Sequence, residues 1–124
     1  MEKELNHVRN QYGEFRLMNG IDVAVRTRFN HYKNRAKKRH KAWKLSFELF
    51  KKLVLSNCVY CGQKPYMLVK TVNHSCLVNG VDRKDSKIGY IPSNCTTACR
   101  FCNCAKGDVG LKEFKKWIWR LRNA

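Results

Sequence analysis

Two short stretches decide how this chain folds: Cys58-Val59-Tyr60-Cys61-Gly62 and, later, Cys99-Arg100-Phe101-Cys102. Each is a compact turn offering two sulfurs two residues apart, a spacing that lets both reach one ion. Two such pairs make four thiolates, which tetrahedral zinc takes readily. With every position filled by sulfur no place remains for water, so the zinc expected on Cys58, Cys61, Cys99 and Cys102 is structural. The stretch between the pairs is longer than in a simple zinc ribbon and leaves room for a functional insert. Cys76, Cys95 and Cys104 share no C-x-x-C spacing and read as spare thiols.

An odd total of seven cysteines argues against a disulfide framework and for a reducing compartment. The N-terminal MEKELNHVRNQYGEF mixes acids with bases and lacks the apolar centre of a signal peptide. No apolar run approaches the ~18 residues that span a bilayer, so a cytoplasmic protein is expected. At 124 residues the chain has the size of one domain, and so short a domain buries only about two-thirds of its unfolded surface. A metal cross-link therefore helps it. Lys and Arg number 26 against 9 Asp and Glu, a net charge of +17. That excess repels itself and asks for a polyanion. Nucleic acid is the usual one, because phosphate neutralisation releases counterions; an anionic membrane surface is the other.

Residues 1–20 read as a polar N-terminal extension and 21–124 as a single domain. From Ile21 the apolar positions Val25, Phe29, Tyr32 and Ala36 recur at steps of three and four, one face of a helix running to about residue 41. Arg26, Arg28, Lys33, Arg35, Lys37, Lys38 and Arg39 crowd the remainder of that helix with almost no acids between them, a pattern suited to phosphate contact. Ser46 reads as the N-cap of a second helix with Phe47, Phe50, Leu53 and Val54 on its core side. Residues 66–81 read as two short strands turning near Asn73-His74-Ser75, residues 85–93 as a loop and 94–98 as a brief strand. A helix is expected from Cys102 to Gly107. A last one starts near Leu111, with Leu111, Phe114, Ile118 and Leu121 inward and Trp117 and Trp119 packing beside them.

The insert reads Asn79-Gly80-Val81-Asp82-Arg83-Lys84-Asp85-Ser86-Lys87-Ile88-Gly89-Tyr90, then Asn94, then Cys99-Arg100-Phe101-Cys102-Asn103-Cys104-Ala105-Lys106. These residues resemble the HNH endonuclease family. The likeness is strongest to a phage-type variant, shared by some rare-cutting restriction enzymes, with Asp-Arg in place of Asp-His. Arg35-Ala36-Lys37-Lys38-Arg39, Phe50 and Cys58-Val59-Tyr60-Cys61-Gly62 fit the same group, so the resemblance runs over roughly residues 32–121.

What the resemblance implies is an α+β domain of the ββα-metal (His-Me finger) kind with flanking helices. It cuts double-stranded DNA, pressing its ββα element into the minor groove. Asp82 and Asn103 match the two ligands of a catalytic cation, and hard oxygen ligands suit Mg²⁺ or Mn²⁺. The family's usual general base is the histidine that Arg83 replaces. Arginine cannot accept a proton at neutral pH but can clamp phosphate. On the variant pattern His40 and Tyr60 become the candidate bases, with His74 a third. Lys106 is expected to contact phosphate or close the short helix. A phage-encoded enzyme in the host cytoplasm, and a homodimer for double-strand breaks, belong to the same expectation. The competing expectation is a catalytically degenerate, zinc-stabilised nucleic-acid-binding module.

Overall fold

A computed structural model describes residues 20–124 in full, together with the backbone of Leu5–Arg9 and Phe15–Asn19. Those two segments, β1 and β2, pair antiparallel, with Leu5 opposite Asn19. The expected polar extension over residues 1–20 otherwise lies outside the described residues.

Helix α1 spans Gly20–Lys38 and buries Ala24, Val25, Phe29 and Ala36, as the three-and-four spacing demands. Its C-terminal end falls short of residue 41, and His40 takes a left-handed backbone at φ 55. Helix α2, Phe47–Val54, starts where Ser46 accepts a hydrogen bond from the Leu49 amide at 3.1 Å. Phe29 is the hub between the two helices. Its ring meets Trp43, Phe47 and Phe50 edge-on at centroid distances of 5.5, 5.6 and 5.4 Å.

Among the described residues, three two-stranded antiparallel ladders carry the β structure. Strands β3 (Met67–Lys70) and β4 (Ser75–Val78) form the expected hairpin. The second predicted strand does not run on to residue 81. Asn79, fully buried, breaks it: its amide donates to the Val54 carbonyl, and its side-chain nitrogen donates to the carbonyls of Ser56 and Gln63 at 2.9 and 3.0 Å. Strand β5 (Gly80–Arg83) starts a new ladder with β6 (Cys95–Ala98), Asp82 standing opposite Thr96. Helix α3, Arg100–Lys106, follows directly; it begins two residues before the predicted Cys102 because Cys99 serves as its N-cap.

Helix α4, Leu111–Arg122, corrects a second expectation. Only Phe114 is buried; Leu111 and Ile118 are half-buried, and Trp117, Trp119 and Leu121 stand exposed. Among the described residues nothing covers the second apolar edge of this helix at the rim of a small core. No helix among the described residues is long and apolar enough to cross a membrane.

Candidate functional site

The first cysteine turn follows α2, and the second sits at the junction of β6 and α3. The Val59 amide donates to the Thr97 carbonyl at 3.0 Å, fastening one turn to the strand that leads into the other. The four sulfurs of Cys58, Cys61, Cys99 and Cys102 consequently gather within 4.8 Å of one another. The sulfurs of Cys61 and Cys99 lie 3.6 Å apart, near the ~3.8 Å expected for thiolates at about 2.3 Å from a shared tetrahedral ion. The donor set and its spacing suit zinc. Burial opposes the Cys58 thiolate, yet hydrogen bonds from the backbone of Cys99, Cys61 and Tyr60 bring its pKa down to about 7. Burial, and then the neighbouring sulfurs of Cys99 and Cys61, push Cys102 up. A metal binding here would take the sulfurs as thiolates and displace their protons.

Beside the knuckle, β5, β6 and α3 form a strand–strand–helix unit. A cavity of about 230 Å³ opens next to it, lined by Asp82, Arg83 and Asn103 of that unit, by Arg35, Arg39 and Lys41 from the end of α1, and by Asp108. The two proposed cation ligands thus face one space. Gly80 sits close to both Tyr32 and Asn103. A side chain there would meet the Tyr32 hydroxyl at 3.0 Å and the Asn103 amide nitrogen at 3.5 Å.

Asp82 is almost wholly buried and both its oxygens are engaged. The Tyr60 hydroxyl donates to Oδ2 at 2.7 Å, and the Lys106 ammonium lies 3.3 Å from Oδ1. Lys106 also donates to the Arg83 carbonyl at 2.9 Å, and its side chain has no exposed surface. The expected phosphate contact by Lys106 is therefore corrected: an enclosed ammonium reaches no external phosphate, and this one serves Asp82.

Arg83 lines the cavity, but its Nη1 donates to the carbonyls of Ser86 and Ile88 at 2.6 and 3.1 Å, and its guanidinium stands over the Tyr90 ring. It braces the 84–94 loop as well as facing the site. Asn94 holds the same loop from within, donating to the carbonyls of Asp85, Ile88 and Gly89 and accepting from the Asp85 amide.

Among the described residues, none of the three candidate bases lines the cavity. Tyr60 stands behind Asp82, and burial, then its bond to that carboxylate, raises its phenol pKa. His40 is exposed between Arg39 and Lys41, which do line the cavity. His74 belongs to the turn between β3 and β4 and packs against Gly20. The basic residues of α1 also divide. Arg35 and Arg39 face the cavity, and Lys37 and Lys38 are exposed. Arg26 instead lies 3.8 Å over the Phe47 ring, Lys33 reaches over Phe29, and Arg28 is half-buried. The basic residues expected on one face thus separate, and those that line the cavity lie at the end of α1 and just beyond it.

The sequence reading had no access to the Asp82–Tyr60–Lys106 grouping. Tyr60 and Lys106 were each marked, but nothing in their spacing says that both bond one carboxylate. Asn79 and Tyr32, whose hydroxyl accepts from the Val81 amide at 3.3 Å, were missed as builders of the site.

No protein-family model matches the chain. A protein of Acanthamoeba polyphaga mimivirus, described as uncharacterized protein R423, is 40% identical over 83 residues, which are 67% of this chain and 14% of the viral protein. The chain thus spans about one-seventh of that relative's length. Among solved structures, the rare-cutting HNH restriction endonuclease PacI, described as exhibiting a mechanism of DNA perturbation, superposes with a TM-score of 0.61 at 22% identity. The match covers 78% of this chain and 75% of PacI. The fold is HNH-like: an α+β domain in which a four-cysteine knuckle braces a β5–β6–α3 unit.

Proposed function

We propose that this chain is a metal-dependent endonuclease that hydrolyses phosphodiester bonds in double-stranded DNA. One observation carries the reading. On an HNH-like fold, a carboxylate and a carboxamide line the same cavity as four basic side chains, Arg35, Arg39, Lys41 and Arg83. That is the chemistry a cation and a phosphodiester would need side by side.

In this reading Cys58, Cys61, Cys99 and Cys102 hold a structural zinc, and Asp82 and Asn103 offer oxygens to Mg²⁺ or Mn²⁺. The cation would supply Lewis-acid stabilisation of charge developing on the phosphate. Arg35, Arg39 and Lys41 seat the DNA backbone, contacts that set register without reading sequence. Arg83 steadies the scissile phosphate with its guanidinium nitrogens other than Nη1. We assign proton acceptance from the attacking water to His40. His40 is exposed between two cavity-lining residues, Arg39 and Lys41, whereas the Tyr60 phenol is committed to Asp82 and its pKa is raised by burial and that bond.

The second reading, a binding module that keeps zinc and nucleic-acid affinity without cutting, draws on the engagement of both Asp82 oxygens inside the chain. Supercoiled plasmid with Mg²⁺ or Mn²⁺, with and without EDTA, separates the two. Nicking that needs metal and disappears in Asp82→Ala supports the enzyme. Plasmid binding without nicking in every metal refutes it.

A further inference from the structure

We propose that Lys106 is a positioning residue for Asp82: it holds the carboxylate from behind the cavity and cancels its charge, so that a divalent cation enters with a phosphate and not ahead of it. The inference rests on the nuclease reading for the identity of the cation ligand. Three observations lead to it.

First, both grips on Asp82 come from residues outside the cavity lining. Tyr60 holds Oδ2 and Lys106 holds Oδ1, yet neither donor is among the residues that line the cavity, while Asp82 itself is. Asp82 therefore meets the cavity where neither donor lines it. Second, helix geometry explains the division of labour. Asn103 and Lys106 are three residues apart on α3 and share a face toward β5. Asn103 meets the cavity, and Lys106, one turn on, reaches behind the strand to Asp82 and the Arg83 carbonyl. Third, the charges around the cavity do not favour a lone cation. With Asp82 offset by Lys106, the lining leaves Arg35, Arg39, Lys41 and Arg83 against Asp108. Asn103 adds no charge. A phosphodiester entering this space supplies the negative charge the wall lacks, and binding of cation and phosphate then reinforce one another.

A buried ion pair with no such task is the simpler alternative, and metal affinity tells them apart. The full zinc-loaded chain is titrated with Mn²⁺ in the absence of DNA, following the spin-resonance signal of free Mn²⁺. The wild type is expected to bind more weakly than about 1 mM. Lys106→Met and Lys106→Gln, which remove the charge, are expected to tighten binding at least about tenfold. Adding Asp82→Asn to either should abolish the gain, and Lys106→Arg should stay at the wild-type value. Wild-type binding tighter than about 1 mM overturns the proposal, as do folded Lys106→Met or Lys106→Gln proteins with no gain. If those variants fail to fold, the wild-type affinity decides. Plasmid nicking plays no part in this series, so a failed nuclease reading and a failed Lys106 reading give different results.

Discussion

Removing one oxygen from Tyr60 probes the link between the knuckle and the site. The Tyr60 ring packs edge-on against Phe114 at 4.9 Å, and its carbonyl accepts from Arg122 at 3.1 Å; Tyr60→Phe keeps both. What goes is the 2.7 Å bond to Asp82, between two buried groups. A hydrogen bond to a charged partner contributes about 1.5–3 kcal/mol, and leaving a buried carboxylate oxygen without its donor puts the loss toward the upper end. For a chain of this length that predicts a melting temperature lower by about 5–10 °C. Calorimetry of the zinc-loaded protein measures it, with zinc stoichiometry unchanged because all four sulfurs remain. The pH dependence has a definite sign. Burial, then Asp82, raises the Tyr60 pKa above its ordinary 10.0. A raised pKa means the contribution is complete below the ordinary value and fades only as pH climbs past it. The gap between wild type and variant should therefore stay flat between about pH 6 and pH 9. A drop smaller than about 1 °C would refute the claim that this bond holds the carboxylate.

Three further predictions follow from the same geometry. In zinc-stripped protein, Cys58 should give a thiolate absorbance step at about pH 7, and Cys58→Ser should erase it. Its pKa is depressed from 9.0, so the stability it contributes is present above that value and is lost as pH falls through about 7; no step near neutrality would contradict this. Gly89→Ala places a Cβ 2.7 Å from both the amide nitrogen and the carbonyl oxygen of Ala42. It should cost about 1–3 kcal/mol by denaturant titration, because the obstacle is backbone; an unchanged midpoint would show that the 84–94 loop yields freely. Arg35→Ala and Arg39→Ala should each lower the slope of log affinity against log salt for duplex DNA by about one. Slopes equal to wild type would take the cavity out of the DNA interface.

The metal knuckle and the helices were legible because they obey local rules. C-x-x-C pairs declare their ligands, a three-and-four spacing declares a buried face, and Ser46 declares a cap. Strand β6 and helix α3 were readable as well, but β5 was hidden in the tail of a strand expected to end at residue 81. The misreadings share a cause: they depend on what lies opposite in space. Asn79 looks like a strand residue until the carbonyls of Ser56 and Gln63 are placed beside it. Lys106 looks like a surface cation because lysine is almost never fully buried unless paired, and its partner lies 24 residues away. Arg26 reads as a phosphate ligand until Phe47, on another helix, slides beneath it. Trp117 and Leu121 read as core because helical periodicity marks an apolar face without saying whether anything covers it.

The shortest α-helix among the described residues joins the four-cysteine cluster to the cavity. Helix α3 is capped by Cys99, whose sulfur accepts from the Cys102 amide at 3.4 Å, so one of the four clustered sulfurs is also the helix cap. Along the helix follow a second clustered sulfur at Cys102, the cavity amide at Asn103 and the counter-charge at Lys106. Seven residues are too few for a helix to persist on propensity alone. Its direction is therefore set by whatever fixes its first turn, and that is the knuckle. The other grip on Asp82 comes from Tyr60, which lies between Cys58 and Cys61. Both donors that hold the carboxylate thus lie within four residues of a sulfur of the cysteine cluster. Loss of zinc should release Asp82 from both sides together, before β5 and β6 themselves come apart. Hydrogen exchange of the zinc-stripped protein is the measurement: α3 amides should lose protection while the Phe29–Phe50 core keeps it, and uniform loss throughout would mean the knuckle supports the whole domain and not the site in particular.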